Sequence, residues 1–416
     1  MRTIKNVLLT AAIALFFESS AQIKNYSPEN YGPKQYGNHY DPNNNAIAQD
    51  SRGIMYFGTT NAVWQFDGQN WRRIEIKAGI SVSSILVSPS CDTIFIGAQN
   101  EFGFLVSNGT DYEYMSLYES VKEIVFPFSD IWKIFSINGK IYYQCYDYIF
   151  MYDGVNVHVF EPETVFHNSF CIDNQLLVRQ REIGLCRLDS IQFKLIPGGE
   201  KFANIGIFGI EKIGDNKSLI ISYEDGSWIM DGNKITRNNS LFDKTLKSVG
   251  FNVTSCVMFN DTTLALGSYD NGILVITTSG RVITHKTTDN GLNENLINKI
   301  FCDRERNLWF TTSKGITLLP NNDFISHFSA ESGIDGGVYA IQEYNGTLYL
   351  GASNGLLVQN KNLKTYDEPL YLPIEQMSRK VVTSLTVCMG KLLIGTDDGV
   401  YQMKDKNNFY FFEPKV

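Results

Sequence analysis

Several things are scarce in this chain of 416 residues. Apolar stripes at the 3.6-residue spacing of an amphipathic helix are hard to find. Short apolar runs separated by Asp, Asn and Gly take their place, which is the pattern of an all-β protein. The seven cysteines, at 91, 145, 171, 186, 256, 302 and 388, lie far apart with no CxxC spacing. They read as buried free thiols, not as a disulfide framework or metal site, and the odd count leaves at least one unpaired. The five histidines, at 39, 158, 167, 285 and 327, have no ligand spacing, and no HExxH or P-loop occurs. Neither a metal nor a cofactor is expected. The net charge is −8, and an acidic chain with scattered Lys and Arg argues against nucleic acid as a partner.

Long hydrophobic runs are also few. One lies at residues 7–17, after Arg2 and Lys5 and before Ser19-Ser20-Ala21. A basic start, a short apolar run and a small-residue cleavage site in that order make a secretory signal peptide, residues 1–21. The run is too short to cross about 30 Å of hydrocarbon. No second run is long enough to span a bilayer, so an exported, periplasmic or extracellular location is expected.

One phrase recurs. AQDSRGIMYFGTTNAVWQFDGQNW begins at Ala48, and CDRERNLWFTTSKGITLL begins at Cys302. Aligned on Gly58, equivalent positions fall at Gly97, Gln144, Arg179, Ser222, Gly267, Thr311, Gly351 and Gly395. Nine copies at a period of about 42 residues suit propeller blades of four strands. Asp67-Gly68 returns in the same phase as Asp153-Gly154 and Asp231-Gly232, and a Gly-apolar pair precedes several copies. The copy around Arg179 is the least regular.

The first copy divides into an inner strand at 46–49, a turn at Asp50-Ser51-Arg52-Gly53, and strands at 54–57, 63–66 and 71–74. Asp and Gly supply the side-chain-capped and positive-φ positions of such turns. Sheets packed face to face in a ring bury both faces of each. Trp64 and Trp228 share a third-strand slot, Tyr56 and Trp309 a second-strand slot, and all four read as packing between blades. GASNG at 351–355 matches G-x-S-x-G, yet GTDDG at 395–399 fills the same slot. Ser353 is therefore a loop residue of the repeat, not the nucleophile of a strand-to-helix elbow.

The run at 303–316, with LWFTTSKGI, the lead-in Gly291-Leu292-Asn293-Glu294-Asn295, and the opening at 25–71 resemble the two-component regulator propeller family. The resemblance covers essentially all of the chain after residue 21 and is strongest in copies one and seven. It implies an extracytoplasmic sensor with two seven-bladed propellers, a small β-sandwich, a membrane helix and a cytoplasmic output. Relatives sense glycans or other nutrients, often as dimers. This chain carries nine copies and none of the later parts. The expectation is one seven-bladed propeller at 22–334 and the first two blades of an incomplete second at 335–416, from a truncated gene. A single ring of eight or nine blades is the minority alternative.

The function expected is a non-enzymatic ligand-sensing module for an oligosaccharide or other small nutrient, with a homodimer possible. A propeller-fold hydrolase or lyase and a protein-binding scaffold are the alternatives. The loops joining second and third strands share one mouth of the ring. In the first seven copies they hold Asn100, Glu101, Tyr146, Asp147, Arg181, Glu182, Tyr223, Glu224, Tyr269, Asp270 and Asn271. Tyr faces stack on sugar CH groups, and Asn, Asp, Glu and Arg bond hydroxyls. A glycosidase asks for two convergent carboxylates, and no pair is marked out.

Overall fold

A computed structural model describes residues 28–37, 42–60, 62–76, 80–109, 111–222, 226–321, 328, 330–363, 368–405 and 408–412. The signal segment therefore lies outside the described residues. Nine four-stranded antiparallel sheets form an all-β propeller architecture, with seven sheets in one compact unit, Tyr26–Asn322, and two in another, within Asp323–Val416. No helix among the described residues is long and apolar enough to cross a membrane.

In the larger unit the inner strands are Ala46–Gln49, Val82–Val87, Lys133–Ile137, Phe166–Ile172, Ile207–Gly214, Val253–Asn260 and Lys299–Cys302. Each touches the next, and the seventh touches the first, so the ring closes on itself. Within blades one to six the strands follow in chain order. The seventh blade departs from the pattern: its outermost strand is Glu29–Tyr31, from the start of the described chain, paired antiparallel with Gly315–Leu319. The sequence reading did not assign this strand. Its addition covers an edge whose unpaired backbone groups would otherwise be exposed.

Aromatic rings lock that seam. Tyr31 lies 5.5 Å from Phe66 and 5.7 Å from Trp71 of the first blade, and 6.1 Å from Trp309 of the seventh. Tyr36, at the end of the short helix Pro33–Tyr36, lies 5.2 Å from Trp64. Trp228 packs against Phe202 in the core between blades four and five. Tyr56 sits between blades one and two, and Trp309 between seven and one, as the repeat implied. Each also reaches the acid of its own turn. Tyr56 Oη donates to Asp50 Oδ2 at 3.1 Å, and Trp309 Nε1 to Asp303 Oδ2 at 2.8 Å. The other oxygen of each acid caps its turn, Asp50 Oδ1 accepting from Arg52 and Ile54 N–H and Asp303 Oδ1 from Asn307 N–H.

The aligned glycine also has a physical cause. A Cβ on Gly58 would stand 2.5 Å from Val82 Cγ1 of the next blade, and one on Gly97 would stand 2.4 Å from Ile131 Cγ2. Gly267 meets Ile297 and Gly351 meets Val382 in the same way. Here adjacent sheets approach too closely for a side chain. Where the slot is larger, a polar group fills it. Gln144 accepts from Ser169 Oγ at 3.0 Å, and the Arg179 guanidinium donates to the carbonyls of Phe202 at 2.8 Å and Ala203 at 2.7 Å. The irregular fourth copy is thus a blade whose spacer bonds forward by charge-assisted hydrogen bonds.

All seven cysteines are free thiols, with Cys388 exposed on the surface. The two-sheet unit packs Tyr349, Leu356, Met377, Leu392 and Ile394 into its own core. Tyr339, Ile341, Tyr410 and Phe411 in that unit remain more than half exposed.

Two substitutions test this packing by urea denaturation. Tyr31→Ala should lower stability by roughly 1.5–3 kcal/mol, the scale for losing a partly buried aromatic. Gly58→Val should cost roughly 1–3 kcal/mol by overpacking against Val82 and Ala46. Unchanged midpoints for both Tyr31→Ala and Gly58→Val would contradict the seam and the spacing.

Candidate functional site

In every blade the antiparallel register sets the start of the inner strand beside the end of the second, as Lys133 opposite Gln144 and Lys299 opposite Thr311. The loops after the second strands and the starts of the inner strands therefore share one mouth. The residues expected there divide into four groups.

Tyr146 and Arg181 come together, the guanidinium 5.7 Å from the tyrosine ring centre, with the Trp132 ring 5.9 Å from the same ring and tilted at 51° to it. Several others are engaged in holding the loops. Asn100 takes φ 51° and its Oδ1 accepts from Phe128 N–H at 3.2 Å. Asp147 Oδ2 accepts from Ser129 N–H and Oγ at 2.9 and 3.1 Å. Asn271 Nδ2 donates to the Val249 carbonyl at 2.7 Å. Glu101 opens the strand Glu101–Ser107 and is buried, accepting from Ser116 Oγ at 2.8 Å. Glu182, Tyr269 and Asp270 are exposed. Tyr223 and Glu224 lie outside the described residues.

Behind Tyr146 the channel widens into a cavity of about 280 Å³. Its walls come from the inner strands of blades three to seven, and its charged side chains are Lys133, Glu211 and Lys299. A second cavity, of about 360 Å³, continues past Lys133, Phe170, Ile210 and Glu211 to the ends of the same strands. The Asp173–Lys212 ion pair, at 2.6 Å, lies in its lining. Lys133 and Glu211 thus stand at the waist between the two spaces.

Burial sets the chemistry of the waist, because charge is costly where water is restricted. It pushes the Glu211 carboxyl up to about 7, against the lowering effect of Cys256 Sγ–H, a backbone N–H and Lys133. It pulls Lys299 down to about 7, with the charge of Lys133 adding to the effect. The Lys133 ammonium is also lowered, and the Cys256 thiol is raised well above its ordinary range. On the rim, burial brings His167 down to about 4, with the charges of Arg179 and Arg181 adding to it.

None of these inner-strand residues was singled out from the sequence. A signal was present, however. WKIF at 132–135 and NKIF at 298–301 put a lysine in the same repeat slot, opposite the aligned position. GIEKI at 209–213 interrupts an apolar inner strand with a carboxylate.

No family model matches this sequence, and no curated protein does. The fold defines a β-propeller protein, and solved structures share that fold at low sequence identity. The extracellular domain assigned to a one component system of B. thetaiotaomicron matches with TM-score 0.57 and 18% identity, over 93% of this chain and 54% of that one. A second extracellular domain, assigned to a hybrid two component system of the same organism, matches with TM-score 0.58 and 16% identity over 94% and 61%. Streptogramin B lyase matches with TM-score 0.54 and 13% identity, over 71% of this chain and 97% of its own. The chain therefore spans little more than half the length of the two extracellular domains.

Glu211 gives a pH test. Its native pKa is above the unfolded value, so the folded state holds the proton more tightly. The stability it contributes is complete below about pH 4.5 and lost as pH rises through about 7. Glu211→Gln should therefore gain on the parent between pH 5 and 8, by about 1–3 kcal/mol in urea melts. Parallel pH profiles for the two proteins would rule out a buried, proton-holding carboxyl.

Proposed function

We propose that this chain is the extracytoplasmic ligand-sensing region of a two-component-type signalling protein, taking a glycan or other nutrient at the mouth of its seven-bladed ring. The observation that carries the reading is the grouping of Trp132, Tyr146 and Arg181 over a cavity at that mouth. Aromatic faces with hydrogen-bonding and charged groups at the edge of a recess suit a sugar, whose CH face stacks while its hydroxyls bond. The likeness to two extracellular domains of bacterial signalling systems, over 93 and 94% of this chain, supports the same role. Export by the segment at 1–21 fits it, and assembly as a homodimer belongs to the same reading.

Binding would signal by favouring one arrangement of the chain over another, which requires unequal affinity for the two. A hydrolase acting through paired carboxylates fits less well, because Glu211 is the one carboxylate lining the mouth cavity among the described residues.

Thermal-shift screening against a panel of neutral and acidic oligosaccharides, followed by calorimetry, tests this. A bound saccharide should be recovered unchanged, and Tyr146→Ala or Arg181→Ala should weaken it at least tenfold, about 1.4 kcal/mol. Cleaved product in place of unchanged ligand would transfer the chain to the enzymes.

A further inference from the structure

We propose that the mouth cavity is an anion site, in which Lys133 and Lys299 receive the carboxylate of an acidic sugar whose ring stacks at Trp132 and Tyr146. The inference rests on the sensor reading and gives its ligand a chemical class.

The first ground is where the cations stand. Lys133 belongs to the third blade and Lys299 to the seventh, three steps away round the ring. Lys299 Nζ nonetheless donates to the Trp132 carbonyl at 3.2 Å, so its side chain crosses the channel to the wall that carries Lys133. Two ammonium groups thus converge on one enclosed space, although the chain as a whole is acidic.

The second ground is what they lack. Lys133 Nζ lies 5.6 Å from the Phe170 ring centre and has no hydrogen bond or ion pair to a described residue. The one carboxylate in the lining, Glu211, is engaged through Oε1 by the Cys256 thiol at 3.6 Å. Near neutral pH, where Lys299 and Glu211 are each partly ionised, two lysines still face a single carboxyl in a confined space, and a buried cation without a hydrogen-bonded partner is costly. An anion entering from the mouth would supply that partner.

The third ground is the remaining wall. Trp132 Nε1, His167 Nδ1 and Ser255 Oγ belong to lining residues and have no protein partner. The Trp132 and Tyr146 rings, with Arg181 over the latter, stand at the entrance. A volume of about 280 Å³ lies at the small end of ligand pockets. It suits one sugar residue, with any further residues of a chain lying over the loops. Carboxylate between the lysines and ring against the aromatics is the orientation that uses every element.

Calorimetry at pH 7 on the full chain and on Lys133→Met and Lys299→Met tests this, using D-glucuronate, D-glucose and inorganic phosphate as probes. Glucose shares the ring without the carboxylate, and phosphate carries charge without the ring. Glucuronate should bind at least tenfold tighter than either, and each methionine variant should lose at least tenfold of that affinity. Melting temperatures at or above the parent's would show that the variants fold, since both remove a buried charge. Equal affinity of the parent and both folded variants for glucuronate overturns the proposal. So does phosphate binding as tightly as glucuronate, which would make this an inorganic-anion site. A neutral oligosaccharide that binds while glucuronate does not sinks the acidic-sugar assignment and leaves the sensor reading standing. Failure of every saccharide, neutral or acidic, removes both.

Discussion

The structure of the larger unit depends on one short antiparallel pairing, Glu29 to Leu318, Asn30 to Thr317 and Tyr31 to Ile316. Seven sheets bury their faces against one another all the way round, provided the last is as wide as the first. The seventh sheet has three strands of its own, and the fourth is supplied from almost 300 residues earlier in the chain. Asn30 adds side-chain bonds on both sides, to the Gly291 carbonyl at 2.8 Å and from Thr317 Oγ1 at 2.7 Å. Tyr31 then carries the aromatic contact across into the first blade. This arrangement joins distant parts of the sequence, so closure is cooperative: the edge is covered when the whole circuit is formed.

Within the closed ring, the slot next to the neighbouring sheet sets the spacing of the blades. Glycine permits close approach at blades one, two and six, whereas Gln144 and Arg179 hold blades three and four to their successors by hydrogen bonds. The same inner region carries the charged waist. Lys133 and Glu211 line a channel there, with the Lys133 ammonium 5.6 Å from the Phe170 ring centre.

This division of labour bears on function. Several of the polar loop residues at the mouth are committed to the loops themselves: Asp147 to Ser129, Asn100 to Phe128, Asn271 to Val249. They hold the rim in shape. The groups left to meet the proposed ligand include the exposed Glu182, Tyr269 and Asp270, the Trp132 and Tyr146 rings with Arg181 over the latter, and the channel cations behind them. A rim held by these hydrogen bonds around a recess lined by charged groups suits the proposed recognition, and a signal would come from whatever rearrangement such binding favoured.

The periodicity of about 42 residues, the turn acids, the hairpin Asp-Gly pairs and the inter-blade aromatics were all readable from residue order, because each is a local rule repeated. The β-propeller class and the count of nine sheets followed from them, as did the shared mouth of Tyr146 and Arg181. Three features were hidden. The strand Glu29–Tyr31 is three residues long and outside the repeat, so no period announces it. Glu101 reads as a loop acid, but packing turns it inward to Ser116. The convergence of Lys133, Glu211 and Lys299 joins residues up to 166 positions apart. Each looks like an isolated charge in its own strand, and bending seven strands round one axis brings them to face each other.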